Sequence, residues 1–199
     1  TVDEETRVDW VADVIDHWAA KGGSWLQAAA LNAIGQEASA LLQQLEGTGS
    51  LARLHQPQEL FRLLGRTGDP KEIQVVVQRI EPSLRLDASH QRDALGRALA
   101  LGDGLLARGH SWKDAMDPAV IDRFFAAVEG QVLNFIQDSS TASVRQDPRS
   151  ALRLLSQRMT PARVEVFARW LKEDRLAPWY PDIIQSLAPK LNPAVLEGF

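Results

Sequence analysis

The residues able to do chemistry are few and scattered. His17, His55, His90 and His110 stand far apart, and none has a second histidine four positions away. A zinc-type site needs several such ligands to converge, and a helical pair four apart is a local way to supply two of them. No metal is expected from this pattern. The chain has no cysteine, which removes disulfides, thiolate ligands, thiol nucleophiles and the C-x-x-C-H attachment of a c-type haem from these residues. The glycine pairs Gly47-Thr-Gly49 and Gly102-Asp-Gly104 neither follow a strand pattern nor lead to Gly-Lys-Ser/Thr, so phosphate cradling is not expected. No serine sits in a G-x-S-x-G turn. Two carboxylates invite a closer reading. Glu37 falls on an apolar helical face, where a charge must be paired or shift its proton equilibrium. A general acid in a cleft, a carboxylate held by an arginine of the next hairpin, and a helix end near solvent are all open. Asp103, between two glycines, is open in the same way. No catalytic residue, metal or cofactor is assigned, and this segment alone is expected not to be an enzyme.

What remains is a surface. Trp10 and Trp18 are eight residues apart and share a face, with Trp18 directed toward the turn before Trp25. They are expected to form a core that closes one end of the fold, with a partner-binding hot spot as the alternative. Trp112 and Trp179-Tyr180 fall in connecting segments and are expected to be exposed. Together with Arg92, Arg97 and Arg108, the densest basic set on one helix, they make the candidate partner-binding surface. The charge balance favours protein over polyanion: Lys plus Arg is 22 against 26 for Asp plus Glu, a net charge of −4, and non-specific nucleic-acid binders carry a basic excess. No apolar run reaches the roughly 18 residues of a membrane span.

These residues must be positioned by helices. The periodicity predicts an all-α chain of about ten segments, near 3–21, 24–46, 57–67, 69–80, 88–109, 117–137, 148–157, 161–174, 178–188 and 193–197. Five starts use a capping residue followed by proline: Asp69-Pro70, Asp117-Pro118, Asp147-Pro148, Thr160-Pro161 and Asn192-Pro193. The cap oxygen accepts from an orphan N–H, and the absent proline N–H is one that would go unpaired. Ser24 reads as a sixth start without proline. In the segment from Ser24, Leu26, Ala29, Ala30, Ala33, Ile34, Leu41 and Leu45 share an apolar face opposite Asn32, Gln36, Ser39 and Gln43. In the segment from Asp117 the ridge is Ile121, Phe125, Val128, Val132 and Phe135. Gly96, Gly102 and Gly104 inside the 88–109 helix each cost about 1 kcal/mol against alanine, which predicts close approach by a neighbouring helix. The stretch Asp-Ser-Ser-Thr-Ala-Ser at 138–143 reads as a polar loop.

Helix starts at Ser24, Asp69, Asp117 and Thr160 are 45, 48 and 43 residues apart, close to the roughly 40–47 of two-helix HEAT or armadillo units. Leu63-Leu-Gly-Arg-Thr-Gly-Asp-Pro-Lys-Glu-Ile73 resembles a HEAT inter-repeat turn, and Ala28-Ala-Ala-Leu-Asn-Ala-Ile-Gly35 resembles the second helix of such a unit. The expectation is one domain over 1–199, a short right-handed HEAT-like α-solenoid of antiparallel helical hairpins. Trp25-Leu-Gln-Ala-Ala-Ala-Leu-Asn-Ala-Ile34, Leu63-Leu-Gly-Arg-Thr-Gly-Asp-Pro70 and the run from Ala94 to Gly109 together resemble the helical region of large secreted, membrane-bound planctomycete and verrucomicrobial dehydrogenases. The resemblance covers about residues 20–110. It implies a periplasmic or secreted protein in which this segment is a non-catalytic scaffold between a dehydrogenase propeller and a c-type haem domain. No catalytic or haem residue of that family maps onto these positions. The chain, beginning Thr1-Val2-Asp3, accordingly reads as a fragment of a multidomain protein. An independent, cytoplasmic protein-binding adaptor is the alternative, followed by a ligand-binding or enzymatic domain with a buried pocket where Glu37, Asp103 and a histidine converge. A nucleic-acid groove is the weakest option.

Overall fold

The computed structural model describes residues 4–17, 29–34, 37–54, 56–137 and 148–187, and these contain helices, turns and no strand. The helices are α1 (Glu4–His17), α2 (29–34), α3 (Ala38–Gly47), α4 (Pro57–Thr67), α5 (Pro70–Ile80), α6 (Ala88–Ala107), α7 (Trp112–Ala115), α8 (Pro118–Gln137), α9 (Arg149–Ser156), α10 (Pro161–Trp170) and α11 (Tyr180–Leu187). Three 3-10 turns not anticipated from the sequence, Ser50–Arg53, Glu81–Arg85 and Asp174–Trp179, join them. The segments predicted at 57–67 and 69–80 are found almost residue for residue, because their start signals act locally: Pro57 opens the first without a side-chain cap, and Asp69 caps the second. Asp69 accepts from the N–H groups of Lys71 (2.7 Å) and Glu72 (2.9 Å), and the Glu72 carboxylate accepts the Asp69 N–H in return. Asp117 accepts from the Ala119 N–H at 2.8 Å, and the Thr160 hydroxyl accepts from Arg163 at 3.2 Å. Such caps contribute about 1 kcal/mol each. The starts at Ser24, Asp147 and Asn192, the end helix at 193–197 and the polar loop at 138–143 lie outside the described residues.

The continuous helix predicted over 24–46 needs correction. A new helix starts at Ala38, with Glu37 as its N-cap residue at φ −90° and ψ 16°. The buried face nevertheless keeps its phase through the break, from Ala30 and Ile34 to Ala38, Leu41 and Leu45. Ala30, Ile34, Leu41 and Leu45 are buried as predicted, but Ala29 and Ala33 are exposed and Ser39 is buried. The ridge of α8 stands: Ile121, Phe125, Val128, Val132 and Phe135 are all buried, joined by Phe124. So does the face of α5, formed by Ile73, Val76, Val77 and Ile80.

Packing runs from neighbour to neighbour: α1 on α3, α3 on α4, α4 on α6, α6 on α9 and α9 on α11. The order of residue pairs gives helix direction. Along α4 and α6, Gln58 lies beside Gly96, Phe61 under the Arg97 guanidinium, Gly65 against Gly104, and Arg108 donates to the Gly68 carbonyl. Partner numbers rise together, so the two helices are parallel. On the other side of α6, Leu95 faces Ala151 and Asp103 meets Gln157, so α9 runs the same way. A second set behaves alike. The Asp117 N–H donates to Gln74, Arg123 to Glu81, and the Gln131 amide to the Leu84 carbonyl, which makes α8 parallel to α5 and its 3-10 extension. The apolar residues between, from Val8 to Ile183, form one continuous cluster.

Of the three glycines singled out in α6, Gly104 meets the expectation of close helix approach. A Cβ there would lie 2.2 Å from the Arg62 carbonyl oxygen, and one on Gly65 would lie 2.1 Å from that of Leu101. Gly102 is crowded by side chains, Gln157 and Trp112, rather than by a helix backbone. Gly96 has only ordinary contact with Gln58.

Candidate functional site

The six residues of the predicted surface do not form one patch. Trp112 requires correction: it is 1% exposed, not an open tryptophan. The short helix α7 turns it inward between α6 and α8, where its ring lies 5.9 Å from that of Phe124 and meets Phe125 edge-on at 5.6 Å. Its indole N–H, which burial obliges to find an acceptor, donates to Gln157 at 3.1 Å. Gln157 in turn donates to Asp103 at 2.8 Å, which places that carboxylate in a structural relay linking α6 and α7 to the end of α9. Arg97 lies over Phe61, its guanidinium 5.6 Å from the ring centre. Arg108 donates to the Gly68 carbonyl at 3.2 Å at the far end of α6. Tyr180 is half-buried and donates its hydroxyl proton to the Glu173 carbonyl at 3.0 Å.

Arg92 and Trp179 are linked only through Phe135, a residue that the periodicity of α8 assigns to the core. Trp179 packs edge-on against Phe135 with centroids 5.0 Å apart. Phe135 and Arg92 both line a cleft of about 200 Å³ between the start of α6, the last turns of α8 and the start of α9. Leu95, Pro148 and Ala151 make the rest of its apolar wall, and Gln91, Gln131 and Ser150 its polar rim. Gln91 and Gln131 also border a shallower, open groove of about 450 Å³, so the two form one channel. The floor of the groove is Ala126, Ala127 and Gly130 of α8, and its charged walls are Arg85 and Arg123. Sequence periodicity missed this channel because Arg85 lies in a 3-10 turn and Arg123 on the solvent side of α8.

The remaining titratable groups are used locally. Asp87 accepts from the Ser89 hydroxyl and the His90 ring and backbone, and these bonds, with Ser89 foremost, hold its carboxyl well below the usual aspartate range. Asp114 is lowered too, chiefly by the Ser111 N–H and then by its hydroxyl. Glu81, 7% exposed, takes Arg123 at 2.9 Å and Arg85 at 3.1 Å. Arg163, 8% exposed, pairs with Glu129 at 2.6 Å and covers the Phe125 ring. Glu37 is half-buried at the start of α3. Among the described residues no group of three His, Cys, Asp or Glu side chains gathers as a metal site would require. No described helix is long and apolar enough to cross a membrane. Trp10, expected in a closing core, is 58% exposed, while Trp18, Trp25 and His55 lie outside the described residues.

No family model, curated protein or solved structure matches this chain.

Proposed function

We propose that this chain is a HEAT-like stack of antiparallel helical hairpins acting as a non-catalytic protein-interaction scaffold. The observation that carries the reading is the directional pairing of alternate helices. Helices α4, α6 and α9 form one parallel row, and α5 and α8 a second, each helix touching its neighbour in matching order. Stacks of this kind are built from nearest-neighbour contacts and offer extended surfaces rather than enclosed reaction sites. The use made of carboxylates agrees: Asp69 and Asp87 cap helices, Asp103 holds Gln157, and Glu81 and Glu129 clamp arginines.

The setting proposed for the scaffold is a spacer in a secreted dehydrogenase with a c-type haem domain, and it rests on the resemblance of residues 20–110 alone. Reading the source gene outward from both ends tests it. A propeller-type stretch upstream with C-x-x-C-H downstream is the expected result; flanks of any other kind remove that setting. The second reading is a self-standing adaptor, favoured by the channel at Phe135, Arg92 and Arg123.

A further inference from the structure

We infer that the channel across α6 and α8 binds an acidic segment of a partner protein, seating one apolar side chain beside Leu95 and Phe135 and a carboxylate at Arg85 and Arg123. The inference rests on the protein-interaction reading above and gives the partner its chemistry. The chain carries a net charge of −4, yet the charged residues lining the channel are Arg85, Arg92 and Arg123, with no carboxylate among them. Arg85 and Arg123 share the single buried carboxylate of Glu81. That cluster therefore keeps one positive charge beyond its partner, on side chains 65% and 53% exposed. A second carboxylate arriving from solvent would complete two bidentate-capable guanidinium groups.

The rest of the channel suits a polypeptide. Gln91 and Gln131 donate their amide protons to the Leu86 and Leu84 carbonyls. This turns each side-chain oxygen into an available acceptor for a peptide N–H. A Cβ on Gly130 would meet nothing within 4 Å, so a second backbone can approach the floor of the groove. The apolar cleft next to it has room for one side chain. A nucleic acid would face the same arginines, but also the Leu95–Phe135 wall and a net negative chain that repels a polyanion.

The test uses the full chain. Gly130→Cys supplies the only thiol and carries a small environment-sensitive dye in the groove. The probes are a short peptide of glutamates flanking one Leu, its Gln-for-Glu counterpart, and oligothymidylate. The acidic peptide should saturate the dye signal, weaken with added salt, and bind roughly tenfold more tightly than its neutral counterpart. Arg123→Glu should abolish that preference, and the milder Arg123→Gln should reduce it with an unchanged circular dichroism spectrum. Equal affinity for both peptides overturns the acidic partner while leaving a peptide-binding scaffold in place. Saturation by oligothymidylate alone, or by none of the probes, overturns the inference; the spacer reading is then decided by the gene flanks.

Discussion

Gly65 and Gly104 meet back to back, and through them helices α4 and α6 touch main chain to main chain. The Cβ that either would carry as alanine falls 3.0 Å from the other's Cα and closer still to a carbonyl oxygen. Neither obstacle can swing aside, as a flexible side chain could. Gly65→Ala and Gly104→Ala should each destabilise the protein by about 1–3 kcal/mol despite alanine's better helix propensity. Gly130→Ala, in open space, should stabilise by about 0.5–1 kcal/mol. Urea titrations of the three variants check this, and a gain in stability for Gly104→Ala would refute the backbone contact.

Gln157 holds two groups at once, accepting the Trp112 indole N–H and donating to Asp103. Gln157→Ala leaves a buried indole N–H without its acceptor, for a loss of about 1–3 kcal/mol. Trp112→Ala, which also empties the space between Phe124 and Phe125, should cost more, about 3–5 kcal/mol. Chemical denaturation followed by circular dichroism ranks the two; an unchanged midpoint for Gln157→Ala would show that the relay adds nothing.

Arg163 is nearly buried while its partner Glu129 is about a quarter exposed. Arg163→Ala strips the carboxylate of its clamp and leaves Phe125 with only the Arg158 guanidinium over its ring, and should destabilise by about 2–3 kcal/mol, below the range of fully buried pairs because water reaches Glu129. Arg163→Lys keeps charge without the planar fork and should recover only part of the loss. Full recovery by lysine would show that charge alone is what Arg163 supplies.

Strong acid should weaken the starts of α6 and α7. Asp87 and Asp114 both have folded-state pKa values depressed by the hydrogen bonds they accept. Their stabilisation is therefore complete above the unfolded value of about 3.9 and is lost as pH falls through the lower folded value. Asp87→Ala and Asp114→Ala should lower Tm at neutral pH, and the gap from the parent protein should narrow once pH drops below that unfolded value. A gap that stays constant into strong acid would show that the carboxylates' charge is not what stabilises these starts.

What the sequence disclosed was the chemistry that acts within a turn. Asp69-Pro70, Asp117-Pro118 and Thr160-Pro161 begin helices because cap and N–H groups lie within four residues of each other. The glycine spacing in α6 pointed to a close neighbour, and Gly104 has one, but nothing local named Gly65 as the other half. Trp112 reads as exposed for the same reason: its four-residue helix has no periodicity, and its direction is set by Phe124, Phe125 and Gln157 from other elements. The channel is not legible in the sequence because Arg85, Arg92 and Arg123 come from three elements, and only packing brings them to one channel.

The parallel run of α4, α6 and α9 has an electrical consequence. Each helix carries roughly half a positive charge at its start and half a negative one at its end, and three aligned in one sense would add rather than cancel. Side chains answer at both edges. Glu59 and Asp87 stand at the starts of α4 and α6, and Arg66, Arg108 and Arg153 at the ends of α4, α6 and α9. At the helix ends where they stand, these side chains offset the partial charge beside them.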